Sequence, residues 1–294
     1  MDLVATLIAG PGAEGLLQGR VGEIRAALAA AEPDWLAPGL ACDLVLRDGD
    51  AAQAEKAARQ VIGDHLIDVL VQPAEGRRKR VFVADLESTI IENEMLDELA
   101  EFVGLRAHVA EITRRAMNGE LDFTAALAER VALLKGLPAT VLDEAAARIR
   151  LMPGARALLA TLRAAGVRTA LVSGGFTVFA ERIAAGLGFE QVVANRLDIA
   201  EGKIAGTVAA PILTRDTKRD TLLELARQNG VALEATLAIG DGANDLPMLQ
   251  TAGLGVAFHA KPAVAAVSRW RLDHADLTGV LYAQGYRLEE IVEP

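Results

Sequence analysis

A chain of 294 residues, 52% of them hydrophobic, can bury one large core or two modest ones and reads as an ordinary globular protein. Its 40 acidic against 30 basic residues give a net charge of −10, which disfavours nucleic acid and other polyanions but permits a local basic pocket for one small anion. The single cysteine, Cys42, cannot form an internal disulfide and fits a reducing cytoplasm, and the apolar run Leu3–Ala9 is too short for a signal peptide or a membrane span.

Strand patterns at Leu3–Ile8, Ala41–Leu46 and Ile67–Val71 alternate with amphipathic helical patterns at about 15–31 and 51–63. Gly10-Pro11-Gly12, Pro38-Gly39 and Asp48-Gly49-Asp50 punctuate them as turns. The spacing predicts a small βαβαβ domain over 1–74, with no catalytic cluster in it. Pro73-Ala74-Glu75-Gly76-Arg77-Arg78-Lys79-Arg80 reads as a solvated linker into a second domain, 75–294; in so acidic a chain its basic run is no nucleic-acid patch.

Val81-Phe82-Val83 has the β-branched and aromatic character of a buried strand, and it empties into Asp85-Leu86-Glu87-Ser88-Thr89. From about 92 to 150 the period becomes helical, with Met95, Leu96, Leu99, Phe102 and Val103 on one face. Breaks near Gly104, Asn118-Gly119 and Gly136-Leu137-Pro138 divide this insert into several short helices. Beyond Met152-Pro153-Gly154, helices at 155–165, 176–186, 217–228 and from Asn244 alternate with strands Val167–Val172, 192–194, Thr236–Ile239 and Leu254–Phe258. A hairpin is expected at 196–208. This alternation predicts an α/β fold with a doubly wound parallel sheet.

The strand ends carry the chemistry. Asp85 and Glu87 follow the first strand of this domain. Ser173-Gly174-Gly175 ends another and opens a helix, offering a hydroxyl and backbone N–H groups to a phosphate. Gly240-Asp241-Gly242-Ala243-Asn244-Asp245 ends a third with hard oxygen ligands that suit Mg²⁺. Lys218 precedes the strand that feeds this loop and can neutralise a phosphoryl group. Singly, each feature is also read as a helix cap, a tight turn or a surface charge. In a parallel sheet, however, all of them share one edge. A carboxylate nucleophile, a proton donor, a hydroxyl, a metal site and a cation are what phosphoryl transfer through an aspartyl-phosphate requires.

With these motifs the chain from about Val81 onward resembles the haloacid dehalogenase (HAD) superfamily, and within it the branch that hydrolyses phosphoserine. The resemblance implies Mg²⁺-dependent conversion of O-phospho-L-serine to L-serine and phosphate, the final step of serine biosynthesis. Asp85 would be the nucleophile and Glu87 the acid and base, with Mg²⁺ held by Asp85, the Glu87 backbone carbonyl and Asp241. Ser173, Gly174, Lys218 and Asn244 would hold the phosphoryl group, with Gly175 and Asp245 in support. Glu94 would take the substrate ammonium, Arg130 its carboxylate, and Met117 and Phe123 would line the cap side. The insert corresponds to a helical cap, and residues 1–74 are similar to an ACT-like α+β domain.

One position departs from the family pattern. Glu87 stands where Asp is usual, which keeps the acid but adds about 1.5 Å of reach. A branch that transfers phosphate from phosphoserine to homoserine is similar in carrying Asp-Leu-Glu here, so transfer, or hydrolysis of another small phosphomonoester, is the alternative. The expected partner is a small-molecule substrate, without nucleic acid or membrane; oligomeric state is left open, a homodimer included.

Overall fold

All seven residues of Leu3–Ala9 are buried and form the first strand, β1, of a computed structural model that describes residues 2–47, 49–117 and 120–293. The chain continues through α1 (Glu14–Leu28), β2 (Asp34–Ala37), β3 (Ala41–Leu46), α2 (Ala51–Ile62), β4 (Ile67–Pro73) and β5 (Val81–Ala84). Then come α3 (Met95–Glu101), α4 (Arg106–Met117), α5 (Phe123–Ala132), α6 (Val141–Ala146) and α7 (Ala155–Ala164). Next are β6 (Arg168–Phe176), α8 (Thr177–Leu187), β7 (Gln191–Asn195), β8 (Leu197–Ala200), β9 (Lys203–Val208) and α9 (Asp216–Gln228). The last elements are β10 (Thr236–Gly240), α10 (Leu246–Thr251), β11 (Leu254–Phe258), α11 (Pro262–Ala265), β12 (Trp270–Leu272) and α12 (Gly279–Ala283). Among the described residues no helix is long and apolar enough to cross a membrane.

The backbone divides into two compact units, 1–80 with 153–167 and 269–294, and 81–152 with 168–268. Residues 153–167 and 269–294, which the sequence pattern places in the second domain, group with the first. Asp68 of β4 is one reason: its buried carboxylate accepts the backbone N–H groups of Asp273, His274 and Ala275.

In the first unit the strands run β2-β3-β1-β4, with β1 antiparallel to both β3 and β4. The connectivity is therefore β-α-β-β-α-β, the split βαβ arrangement, rather than βαβαβ. The extra strand, β2, is short and at the sheet edge, and Pro33 and Pro38 flank it; prolines there mask a strand pattern without breaking an edge strand. Asp50 caps α2 by accepting from Ala52 N and Gln53 N, while Asp48 of the same expected turn lies outside the described residues.

The run before β5 is solvated only in part: Pro73, Glu75, Gly76, Arg78 and Arg80 are exposed, whereas Arg77 and Lys79 are drawn in. Arg77 is bonded to Asp43 (Nη1 to Oδ2, 2.6 Å) and to Thr6 Oγ1 (3.0 Å), with its side chain 12% exposed. Lys79 is buried too, its Nζ donating to Gly76 O at 2.8 Å. Asp43 is buried in β3 and needs a cation, and Arg77 meets that need.

In the second unit the parallel strands run β11-β10-β5-β6-β7. β5 comes first in the chain and lies in the middle, so the winding reverses direction there. On one face Val81, Val83, Ala170, Val172 and Ala238 pack with Leu222 and Leu225 of α9 and Met248 and Leu249 of α10. Helices α3 to α6 form the insert; Asp122 caps α5 through Ala125 N, and the break at Asn118-Gly119 lies outside the described residues. β8 and β9 make the expected antiparallel hairpin.

Candidate active site

The winding reversal opens a crevice at the carboxyl ends of β5, β10 and β6. Asp85 directly follows β5, and its N–H donates to Ile239 O of β10 at 3.0 Å. Asp85, Asp241 and Asp245 are all buried, and a carboxylate oxygen from each lies within 4.8 Å of the others. Lys218 reaches them from the first turn of α9, where the helix dipole disfavours a cation. It is buried there because Nζ donates to both Asp85 Oδ1 and Asp245 Oδ1. Burial opposes the ammonium, but Asp245 and Asp85 outweigh it and raise the Lys218 pKa. Burial raises the Asp85 carboxyl well above the usual range; Lys218 pulls it back, and Asp245 and Asp241 push it further up.

The loop after β10 is braced from within. Asp245 Oδ2 accepts from Asp241 N at 3.1 Å and Gly242 N at 2.9 Å. The packing leaves no room for a side chain at Gly240, where a Cβ would lie 2.3 Å from Asp245 Cγ. This self-contained turn also delays α10, which starts at Leu246 and not at Asn244. Among the described residues Asn244 Oδ1 is buried without a hydrogen-bond partner. Asp241 Oδ2 also lacks a well-directed hydrogen bond, although Lys261 Nζ lies 3.2 Å away as an ion-pair partner. Burial, then Glu94 and Asp245, push the Asp241 carboxyl up to about 7, against the pull of Lys261. Hard oxygens converging on one point, with carboxylates outnumbering cations, are a donor set that fits an oxygen-preferring divalent ion.

Beyond Asp85 the chain turns sharply. Ser88 has φ 55, a left-handed conformation uncommon for a residue with a side chain, and its Oγ donates to Glu94 Oε1 at 2.7 Å. Glu87 Oε1 accepts from Met95 N at 3.2 Å. Burial, then Glu94 and Asp85, raise the Glu87 carboxyl well above the usual range, while the Met95 N–H and Arg130 lower it. Arg130 of α5 is 3% exposed and borders one small cavity together with Asp85, Glu87, Glu94, Gly174, Gly175, Asp241 and Asn244. That cavity measures about 20 Å³. Ser173, Gly174, Lys218 and Asn244 border an adjoining cavity of about 10 Å³.

Ser173-Gly174-Gly175 does not sit at a helix N-terminus as expected. β6 runs on to Phe176, with its pairing to β7 shifted between Ser173 and Phe176, and α8 begins only at Thr177. Within this irregular stretch Ser173 Oγ accepts from Gly175 N at 2.9 Å. Asn195 holds the stretch in place, donating from Nδ2 to Gly174 O at 2.8 Å and accepting at Oδ1 from Leu213 N at 2.9 Å. The missing side chain of Gly175 is used by Glu87: a Cβ there would meet Glu87 Oε1 at 2.7 Å.

The expected site residues thus come together, except that the side chains of Met117 and Phe123 lie outside the described residues. Sequence reasoning missed Lys261, Asn195, and Leu96, which also borders the cavity. Lys261 was legible, because it follows β11, a further parallel strand whose carboxyl end falls on the same edge. Asn195 carried no signal, since nothing in its neighbourhood distinguishes it from a strand-end turn residue.

The family model for haloacid dehalogenase-like hydrolases matches residues 82–250. A phosphoserine phosphatase of Mycobacterium tuberculosis is 42% identical over 260 residues, covering 88% of this chain and 64% of that protein. This chain therefore spans less than two thirds of that relative's length. A phosphoserine phosphatase of Streptococcus thermophilus is 45% identical over 203 residues, covering 69% of this chain and 94% of the relative. A solved structure of a phospho-aspartyl intermediate analogue of phosphoserine phosphatase superposes with a TM-score of 0.67 at 38% identity, covering 70% of this chain and 98% of that one.

Proposed function

This chain belongs to the haloacid dehalogenase-like hydrolase family, and from that premise we propose that it hydrolyses O-phospho-L-serine to L-serine and phosphate. The observation that carries the proposal is the meeting of Asp85, Asp241, Asp245 and Lys218 at one strand edge, where Asp85 and Asp241 share a cavity with Glu94 and Arg130. A phosphate needs the first group; an amino acid, with one ammonium and one carboxylate, needs the second. The phosphoserine phosphatases among its relatives support the same substrate.

Asp85 attacks phosphorus, forming an Asp85–phosphate bond as the bond from phosphorus to the seryl oxygen breaks. Glu87 gives its proton to that departing oxygen, then takes one from the water that cleaves the acyl phosphate, which restores both residues. Lys218 stays on Asp85 through the transfer, and the Ser173 hydroxyl and Asn244 amide orient the phosphoryl oxygens. Asp85, Asp241 and the Glu87 carbonyl would hold Mg²⁺, with Asp245 bracing the loop; when bound, the ion neutralises phosphoryl charge.

A space of about 20 Å³ holds on the order of one water, so the cap helices open to admit substrate and close to exclude solvent. Residues 1–74 we assign to an ACT-like domain, on the strength of the split βαβ connectivity.

The test is phosphate release from O-phospho-L-serine with and without Mg²⁺, beside glycerol phosphate. Fast, Mg²⁺-dependent release from the first alone supports the proposal; equal rates, or none, reject it. Adding homoserine to the same assay detects transfer, which would appear as phosphohomoserine at the expense of free phosphate.

A further inference from the structure

Arg130 is held by a relay that touches three cap helices. Its Nε donates to Ala126 O within α5 at 3.0 Å, and its Nη1 donates to Thr113 Oγ1 of α4 at 2.9 Å. Thr113 Oγ1 in turn donates to Asp97 Oδ1 of α3 at 2.9 Å. A hydroxyl has a single proton, so the polarity is fixed: the Arg130 cation is the donor at one end and the Asp97 carboxylate the acceptor at the other. Thr113 is 5% exposed, and neither it nor Asp97 borders the cavity that Arg130 borders. The guanidinium is planar and rigid, so fixing Nε and Nη1 fixes the direction in which its remaining N–H groups point. Burial, then Glu94, push the Asp97 carboxyl up to about 6, while Thr113, Arg130 and Arg106 lower it.

We propose that Thr113, oriented by Asp97, is a positioning residue that aims Arg130 at the substrate carboxylate and so sets the preference for phosphorylated amino acids over phosphomonoesters without a carboxylate. This inference rests on the assignment of Arg130 above. A relay that only stabilised the cap would affect all substrates alike. An aiming relay affects only those with a carboxylate.

The experiment compares KM for O-phospho-L-serine and for phosphoethanolamine, which keeps the ammonium and lacks the carboxylate; slow turnover is read instead as a competitive inhibition constant. Thr113→Val, close in shape, should raise the phosphoserine KM about tenfold more than the phosphoethanolamine KM, with kcat changed less than threefold. Thr113→Ser, which restores the hydroxyl, should recover most of the ratio. Asp97→Asn, which keeps an acceptor without the charge, should fall between and serves as the readout should Thr113→Val not fold. Should Thr113→Val and Asp97→Asn leave the ratio of the two KM values alone while Arg130→Ala shifts it, the relay is overturned and the assignment of Arg130 stands. An Arg130→Ala ratio equal to wild type overturns both.

Discussion

Glu87 extends into the space that a side chain on Gly175 would fill: a Cβ there would lie 2.7 Å from Glu87 Oε1 and 3.1 Å from Ser173 Oγ. The longer acid is therefore matched by a position without a side chain. Gly175→Ala must displace the carboxylate, and a displacement on the order of 1 Å costs about 10²-fold in rate where geometry is tight. Glu87→Asp withdraws the carboxylate by about one C–C bond, ~1.5 Å. The double variant should therefore be faster than Gly175→Ala alone. Turnover of Mg²⁺-dependent phosphate release checks this, with a melting curve to confirm folding. A Gly175→Ala enzyme within threefold of wild type would show that Glu87 does not work from this position.

Asp85 and Lys218 should respond oppositely to neutralisation. Asp85→Asn removes the proposed nucleophile and also a buried carboxyl whose ionisation is opposed by burial. Phosphate release should drop to background while the metal-free protein melts no lower than wild type. Lys218→Met strips the cation from both Asp85 Oδ1 and Asp245 Oδ1. Breaking a buried pair from one side costs about 3–5 kcal/mol, which lowers Tm by roughly 10 °C in a domain of this size. Adding Asp85→Asn to Lys218→Met should restore part of that loss. Calorimetry of the three metal-free variants decides it, and a Lys218→Met protein as stable as wild type would refute the pairing.

Much of this site was legible because parallel topology does the gathering. Once Val81–Ala84 and Thr236–Gly240 are strands of one parallel sheet, Asp85 and Asp241 must share an edge. What stayed hidden depends on contacts between residues far apart in sequence. Lys218 was read as a neutralising cation, but its double pairing with Asp85 and Asp245 spans 133 and 27 positions and has no periodic trace. Arg77 sits in a run that looks solvated and is half-buried because it pairs with the buried Asp43, 34 residues earlier. β2 was invisible for a local reason, since two flanking prolines outweigh four residues of strand pattern. The extension of β6 through Gly174 and Gly175 was missed because glycines ordinarily mark the end of a strand, not an irregularity inside it.

Cys42 should be inert in the folded protein. It is fully buried in β3 opposite Leu7, and burial, then Asp43 and Asp34, push its thiol up to about 12 from the usual 9.0. Only the thiolate is nucleophilic, so iodoacetamide at pH 8 should label the chain in urea and leave the native protein unmodified. The folded pKa lies above the unfolded one, so the thiol's contribution to stability is complete below about pH 9 and is lost as pH rises towards 12. Urea titrations at pH 8 and 10 should differ more for wild type than for Cys42→Ala. Rapid native labelling would contradict the burial.

Adding Mg²⁺ should stabilise the fold independently of any turnover. The Asp85, Asp241 and Asp245 oxygens lie within 4.8 Å of one another, and in the metal-free protein their mutual repulsion is offset only in part by Lys218 and Lys261. An ion that binds the folded state alone stabilises it by RT ln(1 + [L]/Kd), about 2.7 kcal/mol at a hundredfold excess over Kd. In a domain of this size that is a rise in Tm of roughly 5–10 °C. Asp241→Asn removes one proposed ligand and should abolish most of the rise. Lys261→Gln should lower the metal-free Tm, because Asp241 loses its partner, and should enlarge the rise with Mg²⁺, because a competing cation is gone. Chelator-treated protein melted with and without MgCl₂ gives all three numbers. Equal Mg²⁺ shifts in wild type and Asp241→Asn would mean that the ion binds somewhere else.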